Sequence, residues 1–458
     1  MRRLDRRRHL RLYPGVCAAQ SRRRHLVPLA ATQATGLLCG LIGVRWMSAV
    51  VPPALLGVYG VLLSTTQLGA VVTHQGFIKH VQRHWTARRP AAPYFQALVR
   101  AAFRPTMLMT AGLAGALALL HFLSGLPLDA GLLLWMVAVN LLIVVAQAAQ
   151  AAVQAEDRFW ANFAASAVGS ATRSFLPPLL VMIVGASLCI LGTGFLLHAV
   201  ALAVTALFFL RGAWRRVGDA ANEKDDALAH MVRAFAGVGA CSWLAAAAPR
   251  WFAAAILPPE TTGYFILAGN LTLIVPAAFG AIALSYSYPA LFAAARAGAD
   301  GRALLRTTNR TLAVVMIGSQ LGLVALRLAA PWLIGPMIDA RYTEATAWLL
   351  ATGGAALAAT TTQFYHNLLL AQNRNSDCLR LSMLSATLRL AAMGAGAAAG
   401  GPTFRLTLIV LPWCTLALEW WYTRRRLPMG PATRDTLITD GLDDPSGHRL
   451  APDRAEIG

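Results

Sequence analysis

Acidic residues are scarce in this chain, with 20 Asp and Glu against 40 Lys and Arg in 458 residues. Only 13% of the residues are charged while 57% are hydrophobic, which excludes an ordinary soluble globule, whose charged share is about a quarter. The cysteines are few and scattered: Cys17, Cys39, Cys189, Cys241, Cys378 and Cys414 show no C-x-x-C spacing, so neither a zinc site nor a disulfide framework is indicated. A Gly-rich phosphate loop of the Walker type is missing, which argues against nucleotide hydrolysis. A membrane glycosyltransferase or polymerase would need acids and substantial outer loops, and these are lacking too. The expectation is a protein that is not an enzyme and has no cofactor. No cleavable signal peptide is expected, because the first apolar stretch is long and lies behind an Arg-rich leader.

What the chain has in abundance is apolar windows of about twenty residues, each able to cross roughly 30 Å of hydrocarbon as a helix. About twelve are predicted, over 26–50, 54–74, 96–123, 130–153, 160–184, 188–211, 233–257, 263–291, 308–331, 344–371, 377–400 and 403–423. The fold class expected is an all-α polytopic membrane protein. A formal charge of +20 would suggest nucleic acid in a soluble protein, but topology explains it better here. Nine arginines lie in residues 1–24, and others follow the second, sixth, eighth and twelfth spans. The intervening loops 124–129, 185–187, 258–262 and 401–402 contain no Lys or Arg. This alternation puts both termini in the cytoplasm, with anionic headgroups near the leader and no nucleic-acid partner.

The chain is also written twice. Arg45-Trp46 leads through Ala49 to Pro52-Pro53, Gly57 and Tyr59; Arg250-Trp251 leads through Ala254 to Pro258-Pro259, Gly263 and Tyr264. A second match sets Ser170-Ala171-Thr172-Arg173 beside Ser385-Ala386-Thr387-Leu388-Arg389. An even number of spans separates the equivalent segments, so the halves share one orientation, as in parallel transporter repeats with a site at their interface. The organisation expected is a basic leader at 1–25, disordered over 1–24, a six-helix bundle at 26–211, a cytoplasmic linker at 212–232, a second six-helix bundle at 233–423, and a disordered tail at 424–458.

Candidate binding residues follow from cost. An arginine near the centre of a span costs about 2.5–3.5 kcal/mol even on a permissive insertion scale, so Arg173 and Arg389 should face protein or water. Arg45 and Arg250 sit about 10 Å from the Pro-Pro breaks, where lining a cavity and snorkelling to the headgroups are both open. Acids are nearly absent from the spans, Glu419 near the inner end of the last one being the main exception. The arginines therefore call for an anionic partner from outside the chain, or for water, and a phosphate or pyrophosphate suits the guanidinium fork. Gln147 and Gln150 continue a polar stripe from Asn140 to Gln154, and Gln363 and Asn367 continue one from Thr360. Sugar hydroxyls and interhelical hydrogen bonds are alternative partners for these amides. Gly36, Gly40 and Gly43 need only close helix packing, and His198 and His366 are weak candidates for proton carriers.

Two six-span halves, each with a Gly and a Tyr opening its second helix, resemble the superfamily of multidrug and oligosaccharidyl-lipid/polysaccharide exporters. The Arg250 to Tyr264 segment and the run Leu333-Ile334-Gly335-Pro336 to Tyr342 resemble the polysaccharide-exporter branch, which includes Wzx-type O-antigen flippases. That resemblance implies a V-shaped pair of bundles around a cationic cavity, moving lipid-linked saccharide between leaflets by alternating access. Pro249 stands where that branch often has an acid before the arginine, so no ion-pair role carries over to Arg250. The function expected is translocation of a polyprenyl-pyrophosphate-linked oligosaccharide across a bacterial inner membrane, with a polymerase and glycosyltransferases as associated partners. The alternatives are a cation-coupled multidrug exporter and a non-transporting scaffold of a polysaccharide-assembly complex. The exporter would need a deep carboxylate, for which Glu419 is the candidate.

Overall fold

Proline sets the joints of this structure, a computed structural model that describes residues 14–84, 130–156, 158–215, 225–296, 299–372 and 374–427, with isolated positions between 93 and 115. Helix α1 (Pro14–Val50) stops where Pro52 fixes its own φ and offers no N–H, and α2 (Pro53–His84) starts on the next proline. The same joint recurs between α6 (Asp225–Ile256) and α7 (Pro259–Thr272). Between these pairs run α3 (Ala130–Ala155), α4 (Phe159–Val184) and α5 (Leu188–Phe209). After α7 come α8 (Ile274–Arg296), α9 (Gly301–Met337), a 3₁₀ segment (Ala340–Trp348), α10 (Leu349–Ala371), α11 (Asn375–Ala398) and α12 (Gly401–Arg426). Among the described residues the regular elements are all helical.

Two sequence expectations need adjustment. The span at 263–291 is two helices broken at Leu273, because Pro276 gives the Thr272 carbonyl no amide partner and its ring crowds that carbonyl. The basic leader is helical from Pro14 onward, continuous with α1, where disorder was expected to residue 24. Most of the span at 96–123, and the tail from 428, lie outside the described residues.

The molecule is apolar on the outside. On α9 the exposed residues Val314, Ile317, Leu321, Val324 and Leu328 recur every three or four positions, forming one helical face that water would penalise and lipid tails would not. Among the described residues seven helical stretches, one of them running from Pro259 across the Leu273 break to Leu284, are long and apolar enough to cross a membrane, and the protein is a multi-pass membrane protein.

Within the first half α1 packs on α4, α4 on α5, α5 on α3 and α3 on α2; within the second, α10 and α11 pack on α12 and α8 on α9. The halves meet chiefly where α2 lies along α6 and α7. Trp243 Nε1 donates to the Ser64 carbonyl at 2.7 Å and Trp251 Nε1 to Thr65 Oγ1 at 3.0 Å, both across that seam.

At the Pro-Pro end the duplicated glycines face each other. A Cβ on Gly57 would stand 2.7 Å from the Pro259 carbonyl oxygen, and one on Gly263 only 1.9 Å from that of Pro53. Backbone meets backbone, so only glycine fits. A clasp closes the same end: Arg341 Nη2 donates to the Ser48 and Ala49 carbonyls at 3.2 and 2.8 Å, and Tyr342 OH to Val51 O at 2.8 Å. These satisfy the last carbonyls of α1, which have no helical partner. Hydrogen bonds from Arg341 hold the Asp339 carboxyl below the usual carboxylate range, so this part of the clasp persists at neutral pH and is lost as pH falls through that depressed value.

The glycine crossing has a measurable signature. Gly263→Ala should cost about 1–3 kcal/mol of stability through overpacking, whereas Gly269→Ala, whose Cβ would meet Thr352 at 3.9 Å, should change little. Thermal unfolding of the two purified variants in detergent checks the difference.

Candidate functional site

Below the glycine crossing a cavity of about 250 Å³ separates α1, α2, α4 and α5 from the α7–α8 junction. Three glycines of α1 make room for it: Gly36, Gly40 and Gly43 all line it. Gly43 also brings α1 against Ser174 of α4, where a Cβ would stand only 2.7 Å from the serine Cβ. The walls are mostly apolar, with Val44, Met47, Leu56, Leu63, Leu267 and Ile274 among them, and the polar groups are Tyr59, Ser170, Arg173, Ser174 and Asn270. Among the described residues no carboxylate lines the space.

Arg173 is exposed into this cavity from the middle of α4. It lies close enough to act electrostatically on Tyr59, on His198 and on Arg250 of the other half. Two guanidinium groups within Coulomb reach of one another and away from acid favour an anion between or beside them, the more so where water is few. His198 is held by Thr172, whose Oγ1 is 3.0 Å from Nδ1.

The other sequence candidates are dispersed. Arg45 is exposed near the Pro-Pro end, where its charge acts on Asp339. Gln150 donates to Ser166 of α4 at 3.3 Å, the interhelical bond that was the alternative to sugar binding, and Gln154 does the same with Asn162 at 3.3 Å. Gln147 is half-buried on α3, with an Oε1 that meets no hydrogen-bond partner among the described residues. Gln363 is exposed on α10, and Asn367 lines a separate crevice with Ser287, Thr307, Thr308 and Thr311. Of the eight candidate residues, Arg173 alone borders the cavity between the halves.

Arg389 corrects the inference that the intramembrane arginines lack an acid of their own. It is 3% exposed, and its Nη2 stands 3.6 Å from Glu419 Oε1 while donating to the Ala358 carbonyl and Thr362 Oγ1. Glu419, expected near the inner boundary, is fully enclosed between α10, α11 and α12. Repeated in sequence, Arg173 and Arg389 thus sit in opposite surroundings. Sequence reasoning passed over Asn270 and Ser174 as cavity residues, although an amide in an apolar span and a hydroxyl next to Arg173 were the available signals. It also passed over Arg341, whose loop was read only for resemblance.

The paired charges predict a non-additive effect. Arg389→Gln leaves an uncompensated buried carboxylate and should cost roughly 3–5 kcal/mol, while Arg389→Gln with Glu419→Gln should recover most of that loss. Unfolding midpoints at neutral pH of the single and double variants give the coupling.

No protein-family model and no curated protein matches this sequence. Solved structures do match in shape. The lipid II flippase MurJ, in an inward closed conformation, superposes with a TM-score of 0.61 at 11% identity, covering 88% of this chain and 88% of that one. A multidrug resistance MATE family transporter of the MOP superfamily, inward-facing, gives 0.60 at 12% identity over 85% of this chain and 94% of its own. A MOP superfamily transporter from Pyrococcus furiosus, described as having a binding pocket of reverse polarity that suggests a different function, gives 0.56 at 13% identity over 88% and 94%. Across most of its length, this chain has the fold of the MATE transporters and of MurJ.

Proposed function

We propose that the protein is a transporter that moves a lipid-linked oligosaccharide, joined to its polyprenyl carrier by pyrophosphate, across a bacterial inner membrane for surface polysaccharide synthesis. The observation that carries this reading is Arg173 exposed in a cavity at the seam of the two halves that no carboxylate among the described residues lines. A diphosphate headgroup there would be met by Arg173, with Arg250 contributing charge from the facing half. The apolar walls suit the first isoprene units, and Tyr59, Ser170, Ser174 and Asn270 offer hydrogen bonds to sugar hydroxyls. Both termini and the 212–232 linker belong in the cytoplasm on this reading, the bundles spanning 26–211 and 233–423. The Pro-Pro ends and the Arg341 clasp then face outward, so the cavity is closed from outside. Alternating access requires the clasp and the glycine crossing to part.

A second reading, a cation-coupled exporter of other amphiphiles, is favoured by Glu419, because its depth meets the requirement for a carboxylate inside a bundle. The two differ in what the cavity cation must bind.

Two measurements test the proposal. In a background without native cysteines, a cysteine at Ala221 should react only from the cytoplasmic side and one at Glu260 only from outside; the reverse would invert the topology. Arg173→Gln should lower surface polysaccharide per inserted protein by about tenfold or more, one charge-assisted phosphate contact being worth roughly 1.5–3 kcal/mol. Arg173→Lys should restore part of it, because lysine keeps the charge without the fork. Unchanged output from Arg173→Gln at equal abundance would rule out the headgroup site, and lost drug resistance with intact polysaccharide would favour the exporter.

A further inference from the structure

A second cavity, of about 340 Å³, is lined by the second half alone. Arg327 and Pro331 from the last turns of α9 form one wall, and Ile338, Asp339, Thr343 and Thr346 of the segment that returns from α9 form the other. The polar groups of the two walls differ in kind. Arg327 is exposed and pairs with no carboxylate among the described residues. Asp339 receives both the backbone and the side-chain bond from Arg341 on Oδ1, which leaves Oδ2 open. Thr343 and Thr346 give their protons to the Ala340 and Thr343 carbonyls at 2.8 and 3.0 Å, so their oxygens remain as acceptors. One wall thus offers a cation and the other only acceptors, one of them charged. A simple anion suits the first wall and is repelled by the second, whereas a zwitterion with a phosphate at one end and a donor-rich cation at the other suits both.

The two charges also lie in the order that a lipid presents them. Exposed Arg310 and Arg327 bracket an uncharged stretch of α9, 311–326, which is roughly 24 Å long at 1.5 Å per residue and close to the thickness of the hydrocarbon core. Arg327 therefore stands at the edge of the hydrocarbon, where lipid phosphates begin, and Asp339 lies beyond the end of α9, further toward water. The exposed apolar stripe from 314 to 328 runs below Arg327 and gives acyl chains a surface to follow. Trp332, 75% exposed, has the interfacial placement that indoles favour. Phosphatidylethanolamine meets these terms: its ammonium carries three donors for Oδ2 and the threonine oxygens, and its phosphate lies on the hydrocarbon side of that ammonium. A choline headgroup has no donor, and a glycerol headgroup has no cation. Asp339 also belongs to the clasp, since its N–H bonds Ser48 Oγ at 3.2 Å and its Oδ1 orients Arg341 toward the α1 carbonyls. A headgroup on Oδ2 would fix that carboxylate from its free side.

We propose that the cavity between α9 and the 338–346 segment binds the headgroup of a phosphatidylethanolamine, Arg327 taking the phosphate and Asp339 the ammonium, and that the bound lipid holds the clasp shut. The proposal rests on the transport reading only for what closing the clasp accomplishes. Native mass spectrometry of the purified full-length protein, released from lipid discs of phosphatidylethanolamine, phosphatidylcholine and phosphatidylglycerol in equal parts, tests it without any substrate. The wild type should retain one phosphatidylethanolamine in preference to the other two by about tenfold. Arg327→Gln should lower that retention by about tenfold. Asp339→Asn, which sets an amide donor where the ammonium needs an acceptor, should leave ethanolamine and choline lipids retained alike. Deuterium exchange of the 339–342 amides should be slower in phosphatidylethanolamine discs than in phosphatidylcholine discs, and Arg327→Gln should erase the difference. Arg327 makes no hydrogen bond to the clasp among the described residues, so a merely structural arginine would leave that difference in place. If Asp339→Asn does not fold, Thr346→Val, which removes an acceptor and keeps the clasp, carries the comparison of headgroups. Equal retention of the three lipids by the wild type, a preference for phosphatidylglycerol, or retention that none of these variants alters overturns the proposal. Such a failure leaves the Arg173 reading intact, and loss of that reading would leave lipid retention unchanged.

Discussion

A guanidinium held inside a bilayer must meet either a carboxylate or water, and the chain meets that demand differently in its two halves. In the second half, Arg389 spends its charge on Glu419 and its donors on α10, tying three helices together. In the first, Arg173 has no such neighbour among the described residues and faces the cavity. Two equivalent positions of the repeat thus differ, Arg389 tied into its bundle and Arg173 exposed to the cavity. With acids so few along the spans, where each carboxylate sits decides which arginine remains free to bind.

The cavity exists because the halves touch closely in some places and not in others. Backbone contact at Gly57 and Gly263 fixes the Pro-Pro end, and the Trp243 and Trp251 indoles fix the α2–α6 seam. The space opens beside these fixed points, where the glycines of α1 carry no side chain to fill it. The clasp from the Asp339 to Tyr342 segment closes the end above it by satisfying carbonyls that α1 cannot satisfy itself. Helix termination and closure of this end share the same few hydrogen bonds.

Much of this architecture is legible along the sequence, because hydropathy and proline act locally. The Pro-Pro joints, the repeated segments and the helices under eleven of the expected spans need only the residues in each segment. The break at Leu273 needed only the rule that proline disturbs the carbonyl four residues back, applied to Pro276. Partnership between helices is another matter. Glu419 lies seven positions before Arg426, so linear distance assigns it to the boundary. Side chains lean toward the N-terminus of their own helix, which brings Glu419 of α12 and Arg389 of antiparallel α11 together deeper inside. Periodicity showed that Gln147, Gln150 and Gln154 share a face, but not that Ser166 and Asn162 are what two of them meet.

The crossing of Gly57 and Gly263 has the character of a dimer interface folded into one chain. Each copy of the repeat presents the same patch to the other, as subunits do around a twofold axis. A substitution at such a place is confronted by the counterpart of its own position, so neither copy can gain bulk there independently. The rest of each half lies away from that axis and is free of this reciprocity, as the separate fates of Arg173 and Arg389 illustrate. The two halves can differ wherever they do not meet, and where they do, at Gly57 and Gly263, each sets the space the other has.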